Sequence, residues 1–200
     1  MLRYLALGDS YTIGEGVSDD ERWPAYLVGM LAARGIEVGP PHYIAQTAWT
    51  TDELSDAIDA AKPAGTFDLV TLLIGVNDQY RSRPVSAFEG EFATLVKRSI
   101  AFAGRRPDRT IVVSIPDWGA TPYAEGRDRA LIGREIGAFN TRSEEIVRKF
   151  GAHWVDVTES SRAMLQEPEL AVADKLHPSG EMYRRWAELM LPIAEKALAS

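Results

Sequence analysis

Apolar runs and amphipathic stretches alternate along the whole chain. Five short runs, rich in β-branched and aromatic residues, predict β-strands. They lie at residues 2–7, 42–46, 68–75, 110–115 and 153–157. The third and fourth runs are almost entirely apolar, which is typical of parallel strands that are buried on both faces.

Apolar residues recur at helical spacing in the segments that follow these strands, and this spacing predicts helices. The predicted helices cover residues 24–34, 51–61, 84–103, 128–150 and 179–199. The first begins at Pro24 and stops at Gly35, in agreement with the preferences of these residues at helix ends. The alternation predicts right-handed βαβ units, a parallel sheet with helices on both faces, and a single domain over residues 1–200.

Composition and charge narrow the possible functions. Of the 200 residues, 46% are hydrophobic and 26% are charged, as in an ordinary globular protein. The net charge of −7 argues against a nucleic-acid-binding protein, which would carry a basic surface. No run approaches the roughly 20 apolar residues of a membrane span, and Met1 leads into a predicted strand rather than a signal peptide. We therefore expect a cytoplasmic protein, and the sequence leaves its oligomeric state open.

The sequence contains no residue pattern that indicates a metal or cofactor site. The absence of cysteine excludes disulfides, thiolate nucleophiles and cysteine-ligated metals. His42, His153 and His177 show no metal-ligand spacing. We expect no metal and no organic cofactor, and we expect His153 to be a strand residue and His42 a surface residue.

The tripeptide Gly8-Asp9-Ser10 directly follows the first predicted strand. Ligands of open α/β sheets bind outside the carboxyl ends of the strands, where Ser10 would lie. Gly, Asp and Ser are also common in strand-to-helix turns for backbone reasons. The tripeptide alone therefore supports a serine nucleophile and a simple turn about equally.

Residues 174–178 (DKLHP) offer a carboxylate, Asp174, and an imidazole, His177, three residues apart. One turn can bring these two side chains together. Pro178 favours an extended conformation at His177 and suits the first position of the last helix, which places His177 in a loop at the sheet edge. Taken alone, the segment is more simply a surface acid and a residue that leads into a helix.

Two more loops follow the second and third predicted strands. Residues 75–78 (GVND) place the side-chain amide of Asn77 at the carboxyl end of the third strand, although an Asn/Asp turn is common there. Residues 46–51 (QTAWTT) follow the second strand. Their N–H groups could serve as hydrogen-bond donors, and a helix N-cap explains the segment just as well.

Together, these residues supply every group that acyl transfer needs. Ser10 would attack the substrate carbonyl, and His177 would take the serine proton and pass it to the leaving group. Asp174 would orient the imidazole and stabilise its charged form. The backbone N–H groups of Ser10 and Ala48 and the amide of Asn77 would face the developing oxyanion.

In these segments the chain resembles the SGNH (GDSL) hydrolase superfamily, and the matching blocks span nearly all of the sequence. Residues 8–10 match the first block, residues 75–78 the third and residues 174–178 the fifth. The resemblance implies an α/β fold, a flavodoxin-like three-layer α/β/α sandwich with five parallel strands in the order 2-1-3-4-5. It also implies ester hydrolysis with the roles given above.

Two positions depart from the family's pattern. Tyr11 stands where the name-giving leucine would be, and that side chain has no part in the chemistry. Ala48 stands where the second block has a glycine. Alanine keeps the backbone N–H donor, but it would be strained if the position required a positive φ.

Loops at the same edge supply candidates for the substrate pocket. The candidate pocket-lining residues are Asp9, Trp49, Tyr80, Trp118 and Tyr123. The loop of residues 115–123 is alternatively a Pro/Gly turn anchored by a packed tryptophan. Arg81 and Arg83 could attract an anionic substrate, although solvated arginines after a turn are more common.

The sequence therefore predicts a serine esterase that hydrolyses small-molecule esters with acetyl or other short acyl groups through an acyl-enzyme. The compact chain leaves little length for a lid, which favours a shallow pocket. A thioesterase, a lysophospholipase or an acyltransferase would use the same site. A module that binds phosphate or flavin at residues 8–16 is the alternative from another class, but it leaves Asp174 and His177 without a function, and no GxxxxGK[ST] motif supports it.

Overall fold

The computed structural model describes residues 1–199 and contains one five-stranded sheet. Its strands are β1 (Tyr4–Gly8), β2 (His42–Ala45), β3 (Leu69–Leu73), β4 (Thr110–Val113) and β5 (His153–Val155). All neighbouring strands are parallel, in the order β2-β1-β3-β4-β5, so the predicted α/β fold and strand order are confirmed. The strands β2 to β5 end one or two residues earlier than predicted, because the chain leaves the sheet there to form loops.

Eight α-helices lie within the described residues. They are α1 (Ser10–Ile13), α2 (Trp23–Ala33), α3 (Thr51–Ala61), α4 (Val76–Tyr80), α5 (Val85–Phe102), α6 (Arg129–Phe150), α7 (Thr158–Ser161) and α8 (Gly180–Ala199). The ends of the five long helices lie within one residue of the predicted positions. The three short ones escaped prediction because four or five residues are too few to show a helical period.

Helices cover both faces of the sheet. One layer is formed by α2 and α8, which pack against each other, and the other by α3, α5 and α6. Every residue of β1, β3 and β4 is buried between these layers, which explains why their sequences lack polar alternation. Trp23 and Trp186 are fully buried within the α2–α8 layer. No helix within residues 1–199 is both long and apolar enough to cross a membrane.

Two glycines bring the chain close together at the carboxyl edge of the sheet. A Cβ atom at Gly8 would lie 2.5 Å from the carbonyl oxygen of Leu73 in the neighbouring strand. Gly75 has a φ of +122°, and a Cβ atom there would lie 2.8 Å from the ring of Phe88. Gly8 therefore lets β1 lie close to the end of β3, and Gly75 lets the turn after β3 pack against Phe88.

Candidate active site

Ser10 is held by a short helix that begins at the end of β1. The side chain of Asp9 caps this helix, because its Oδ1 accepts the N–H of Tyr11 at 3.0 Å. Gly14, with a φ of +67°, ends the helix after one turn. Ser10 is therefore the first helical residue, at the carboxyl end of β1, which lies between β2 and β3.

His177 is presented by a loop between residues 170 and 179. The loop closes through two backbone hydrogen bonds, from Val172 N–H to the His177 carbonyl at 2.8 Å and from Ser179 N–H to the Leu170 carbonyl at 2.7 Å. Pro178 forms an isolated β-bridge with Ala171 and lies two residues before α8, so the prediction that it occupies the first helical position is wrong. His177 therefore lies in the loop, next to this bridge, and not at the start of α8.

Asp174 organises this loop and contacts the imidazole. Its Oδ1 accepts the backbone N–H groups of Leu176 at 2.8 Å and His177 at 2.9 Å. Its Oδ2 lies 2.6 Å from Nδ1 of His177. Partial burial opposes ionisation, but the hydrogen bonds from the imidazole and from the two N–H groups outweigh it and lower the pKa of Asp174. Asp174 is therefore ionised at neutral pH.

The hydrogen bonds continue from the imidazole to the serine. Nε2 of His177 lies 2.9 Å from Oγ of Ser10. An ionised Asp174 accepts the proton of Nδ1, which leaves Nε2 unprotonated and facing the Ser10 hydroxyl. Serine, imidazole and carboxylate thus form one continuous chain of hydrogen bonds. This geometry allows an imidazole to take a proton from a serine hydroxyl.

The loop after β2 holds Ala48 in a left-handed conformation with a φ of +69°. The sequence analysis noted that alanine would be strained here if the position required a positive φ. Ala48 has such a φ, and this conformation costs an alanine about 1–2 kcal/mol. Two side chains from the segment after β3 hold the loop. Nη2 of Arg81 donates to the Ala48 carbonyl at 2.7 Å, and Nδ2 of Asn77 donates to the Trp49 carbonyl at 2.9 Å. The N–H of Ala48 has no acceptor among residues 1–199.

Asn77 lies in α4, directly after the turn at Gly75. One hydrogen of its amide nitrogen is used by the Trp49 carbonyl, and this bond fixes the plane of the amide. An amide nitrogen carries two hydrogens, so a second donor remains for a ligand. Asn77 and Ala48 both line the cavity that also contains Ser10 and His177.

This cavity has a volume of about 200 Å³. It is lined by Ser10, Tyr11, Thr47, Ala48, Val76, Asn77, Tyr80, Trp118, Tyr123, Leu176 and His177. Most of the residues singled out in the sequence thus meet at one place. No group of three or more His, Asp or Glu side chains within residues 1–199 could hold a metal ion.

Tyr80, Trp118 and Tyr123 form an aromatic wall on one side of this cavity. The hydroxyl groups of Tyr80 and Tyr123 lie 3.1 Å apart, and the ring of Tyr80 meets that of Trp118 at a centroid distance of 5.4 Å. The indole N–H of Trp118 donates to Gln79 at 2.8 Å, and Gln79 donates to Glu135 at 2.7 Å. Two consecutive hydrogen bonds, from Trp118 to Gln79 and from Gln79 to Glu135, therefore hold the aromatic wall in place. The sequence did not indicate them.

Two candidate lining residues lie elsewhere. Asp9 is 0% exposed and does not line the cavity, so it cannot touch a substrate. Trp49 contributes its backbone carbonyl to the bond with Asn77 and does not line the cavity. Conversely, sequence reasoning missed Tyr11, whose ring centroid lies 5.5 Å from that of His177, and Leu176. The only available signal was that each adjoins a predicted catalytic residue.

The remaining candidates serve the fold. Arg83 pairs with Asp52 and with the buried Asp78, at 2.7 and 3.2 Å. His153 contacts the Asp108 carbonyl at 3.1 Å. His42 stacks on Phe67 at a centroid distance of 6.2 Å. None of these groups lines the cavity.

Asp9 is a buried carboxyl group that directly precedes Ser10 in the chain. Its Oδ2 has no hydrogen-bond partner among residues 1–199. Burial, only partly offset by the hydrogen bond from Tyr11 and reinforced by the negative charge of Asp78, raises the pKa of Asp9 to about 8. Asp9 is therefore protonated at neutral pH in the folded protein and adds no negative charge next to Ser10.

We expect Asp9→Asn to change how stability depends on pH. Between about pH 4 and pH 8 the unfolded carboxyl is ionised and the folded one is not, so the stability of the unmodified protein falls as the pH rises. The asparagine variant lacks this titration. The free energy of unfolding of both proteins is measured with urea. The difference, variant minus unmodified protein, should rise by on the order of 1 kcal/mol for each unit of pH increase in this range.

Asp56→Asn is the matched control, because Asp56 is exposed on α3. It reports the effect of exchanging a surface aspartate for asparagine under the same conditions. A difference between Asp9→Asn and the unmodified protein that does not change with pH would show that Asp9 is ionised in the folded state.

Solved structures with the same fold have low sequence identity to this chain. The crystal structure of TesA has a TM-score of 0.73 at 19% identity, with 98% of this chain and 99% of that chain covered. Axe2, an acetylxylan esterase from Geobacillus stearothermophilus, has a TM-score of 0.73 at 19% identity, with coverages of 96% and 94%. The psychrotrophic esterase EstA from Pseudoalteromonas sp. has a TM-score of 0.69 at 21% identity and full coverage of both chains. A search of curated proteins gave no significant match.

A comparison with protein families matches residues 6–185 to the GDSL-like lipase/acylhydrolase family. With the fold and the site described above, this match defines a carboxylic ester hydrolase. The chain belongs to the GDSL-like lipase/acylhydrolase family. The resemblance inferred from the three sequence blocks is thereby confirmed.

Proposed function

We propose that the protein hydrolyses esters of short acyl groups through an acyl-enzyme on Ser10. The observation that carries this proposal is the unbroken chain of hydrogen bonds from Asp174 through His177 to Ser10. In the first step His177 takes the hydroxyl proton while the serine oxygen attacks the ester carbonyl. The imidazolium, stabilised by Asp174, then protonates the leaving alcohol. A water molecule, activated by the same imidazole, releases the acid and restores the serine.

Three donors would stabilise the oxyanion of each tetrahedral intermediate. They are the backbone N–H groups of Ser10 and Ala48 and the second amide hydrogen of Asn77. The unpaired N–H of Ala48 and the fixed amide plane of Asn77 support this assignment. Each donor is held before substrate arrives, so little reorganisation is needed during the reaction.

Short acyl groups are proposed because the cavity is small. Its volume of about 200 Å³ falls below the roughly 300–1,000 Å³ of pockets that enclose drug-sized ligands. The aromatic wall closes one side, and the Trp118 ring is 5% exposed and held by Gln79. The same acyl-enzyme would serve thioesters or acceptors other than water. The meeting of Asp174, His177 and Ser10 argues against the alternative of a phosphate- or flavin-binding module.

A chain-length series of 4-nitrophenyl esters tests this assignment of substrate. We expect kcat/KM to be highest for acetyl to butyryl esters and to fall for octanoyl and longer ones, because a longer chain cannot be buried in the cavity. Trp118→Ala enlarges the cavity and should move the optimum towards longer chains. A peak at long chains in the unmodified enzyme would disprove the short-acyl assignment, but not the catalytic one.

The oxyanion assignment predicts a large effect of Asn77→Ala. Loss of one donor lowers kcat by about 10²–10³ while KM changes little, because the contact forms mainly in the transition state. Steady-state kinetics on 4-nitrophenyl acetate measure both constants. Arg81→Gln is the matched control, since it loosens the same loop without removing a proposed donor. An equal loss of kcat in both variants would assign Asn77 to holding the loop alone.

A further inference from the structure

The lining of the cavity, within the part of the chain that the structure describes, contains no Lys or Arg. Asp174 lies behind His177, and the whole chain carries a net charge of −7. An anionic substrate would therefore approach only if a cation lay within its reach. Two arginines near the aromatic wall, Arg81 and Arg127, are the groups to consider.

Arg81 is already engaged. It donates to the Ala48 carbonyl at 2.7 Å and pairs with Glu53 at 3.2 Å, so its charge is shared with a carboxylate. Arg127, by contrast, forms no ion pair with any residue of the described chain, although it is exposed. Its guanidinium lies over the ring of Tyr123, 4.7 Å from the centroid, and 5.5 Å from that of Trp118.

Both of those rings belong to the aromatic wall. The guanidinium thus borders the cavity at its rim, near the point where the hydroxyls of Tyr80 and Tyr123 meet. The hydrogen bond from Tyr123 and the charge of Arg127 both lower the pKa of Tyr80, which agrees with this position. Stacking on the two rings orients the guanidinium plane, and some of its N–H groups face the hydroxyls of Tyr80 and Tyr123. A guanidinium carries five N–H donors, so others remain for an anion.

We propose that Arg127 is a specificity-determining residue that binds a carboxylate or phosphate carried by the ester substrate. The inference rests on the proposed function, because it concerns the substrate of the same site. A group that extends from the cavity past the tyrosine hydroxyls reaches the guanidinium. The planar fork of arginine matches both anions. The preferred ester thus has a short acyl group or a small alcohol, together with one negative charge.

Two matched pairs of chromogenic esters test the proposal and locate the charge. In the acyl pair, 4-nitrophenyl hydrogen glutarate is compared with its neutral methyl ester. In the alcohol pair, 3-acetoxy-4-nitrobenzoate is compared with its methyl ester. For each pair the ratio of kcat/KM, anionic over neutral, is measured at low salt in the unmodified enzyme, Arg127→Gln, Arg127→Lys and Arg105→Gln. Arg105 is an exposed arginine that lies before β4, at the opposite edge of the sheet.

We expect the ratio to exceed one in at least one pair and to fall by on the order of tenfold in Arg127→Gln, as for the loss of one charge-assisted contact. Arg127→Lys should keep part of the preference, Arg105→Gln should keep all of it, and added salt should reduce it. The pair that responds identifies the half of the ester that carries the anion.

If Arg127 only stiffens the aromatic wall, Arg127→Gln should change kcat/KM for the anionic and the neutral ester of each pair by the same factor. Unchanged ratios in Arg127→Gln, or a ratio below one in both pairs of the unmodified enzyme, would overturn the proposal. Neither result would affect the acyl-enzyme mechanism, because the neutral esters report on that mechanism separately.

Discussion

Replacing Ser10 by alanine is expected to lower kcat for 4-nitrophenyl acetate by on the order of 10⁵–10⁶. The substitution removes the only oxygen that lies within hydrogen-bond distance of Nε2 of His177 among the described contacts. Without it, no covalent intermediate forms, and the oxyanion donors and substrate binding supply only the residual rate. The loss should be in kcat rather than KM, because binding of the neutral ester does not need the hydroxyl.

A fluorophosphonate probe gives an independent measurement of the same residue. The unmodified enzyme should be labelled once and inactivated, and Ser10→Ala should not be labelled. Ser86→Ala, an exposed serine on α5, is the matched control and should behave like the unmodified enzyme. Persistent labelling of Ser10→Ala would remove Ser10 from the mechanism. A melting temperature within a few degrees of that of the unmodified protein would exclude unfolding as the cause of lost activity.

Asp174→Asn should lower kcat by about 10⁴. The asparagine oxygen can still accept the N–H groups of Leu176 and His177, so the loop that presents His177 is kept. Its NH₂ group would then face Nδ1 and favour the tautomer with the proton on Nε2, which cannot accept the proton of Ser10. The measurement is kcat on 4-nitrophenyl acetate at pH 7–8, where Asp174 of the unmodified enzyme is ionised.

Asp174→Ala separates the two functions of this carboxylate. It removes both the contact with the imidazole and the support for the loop, so it should lower the melting temperature as well as kcat. Asp174→Asn should lower kcat alone. A loss of less than tenfold in Asp174→Asn would mean that another group sets the tautomer of His177.

The long elements of the fold could be predicted from the sequence because each repeats one period several times. The helix of residues 128–150 and the apolar run of residues 68–75 are examples of such repetition. The short helices α1 and α4 carry Ser10 and Asn77, and they arise from a cap, a glycine and contacts with distant residues. Periodicity cannot reveal elements that are formed in this way.

The site was partly predictable for a topological reason. Parallel strands place their carboxyl ends at one edge, so polar residues that follow different strands are brought together. That rule located Ser10, Ala48 and Asn77. It could not indicate that Arg81 would bind the Ala48 carbonyl, because this contact joins residues 33 positions apart. Nor could it show that Asp9 does not line the cavity, since neighbouring residues in a turn often point in opposite directions.

The left-handed alanine gives the proposed oxyanion hole a property that a glycine would not. Glycine moves among many backbone conformations, so a loop built on it would sample a continuous range of donor positions. Alanine has only a narrow left-handed well, separated from its ordinary conformations. The bonds from Arg81 and Asn77 hold the loop together, and Ala48 would gain energy by leaving that well only if both were lost. The donor proposed at Ala48 would therefore be either in position or absent, and side chains from the segment after β3 would decide between the two states.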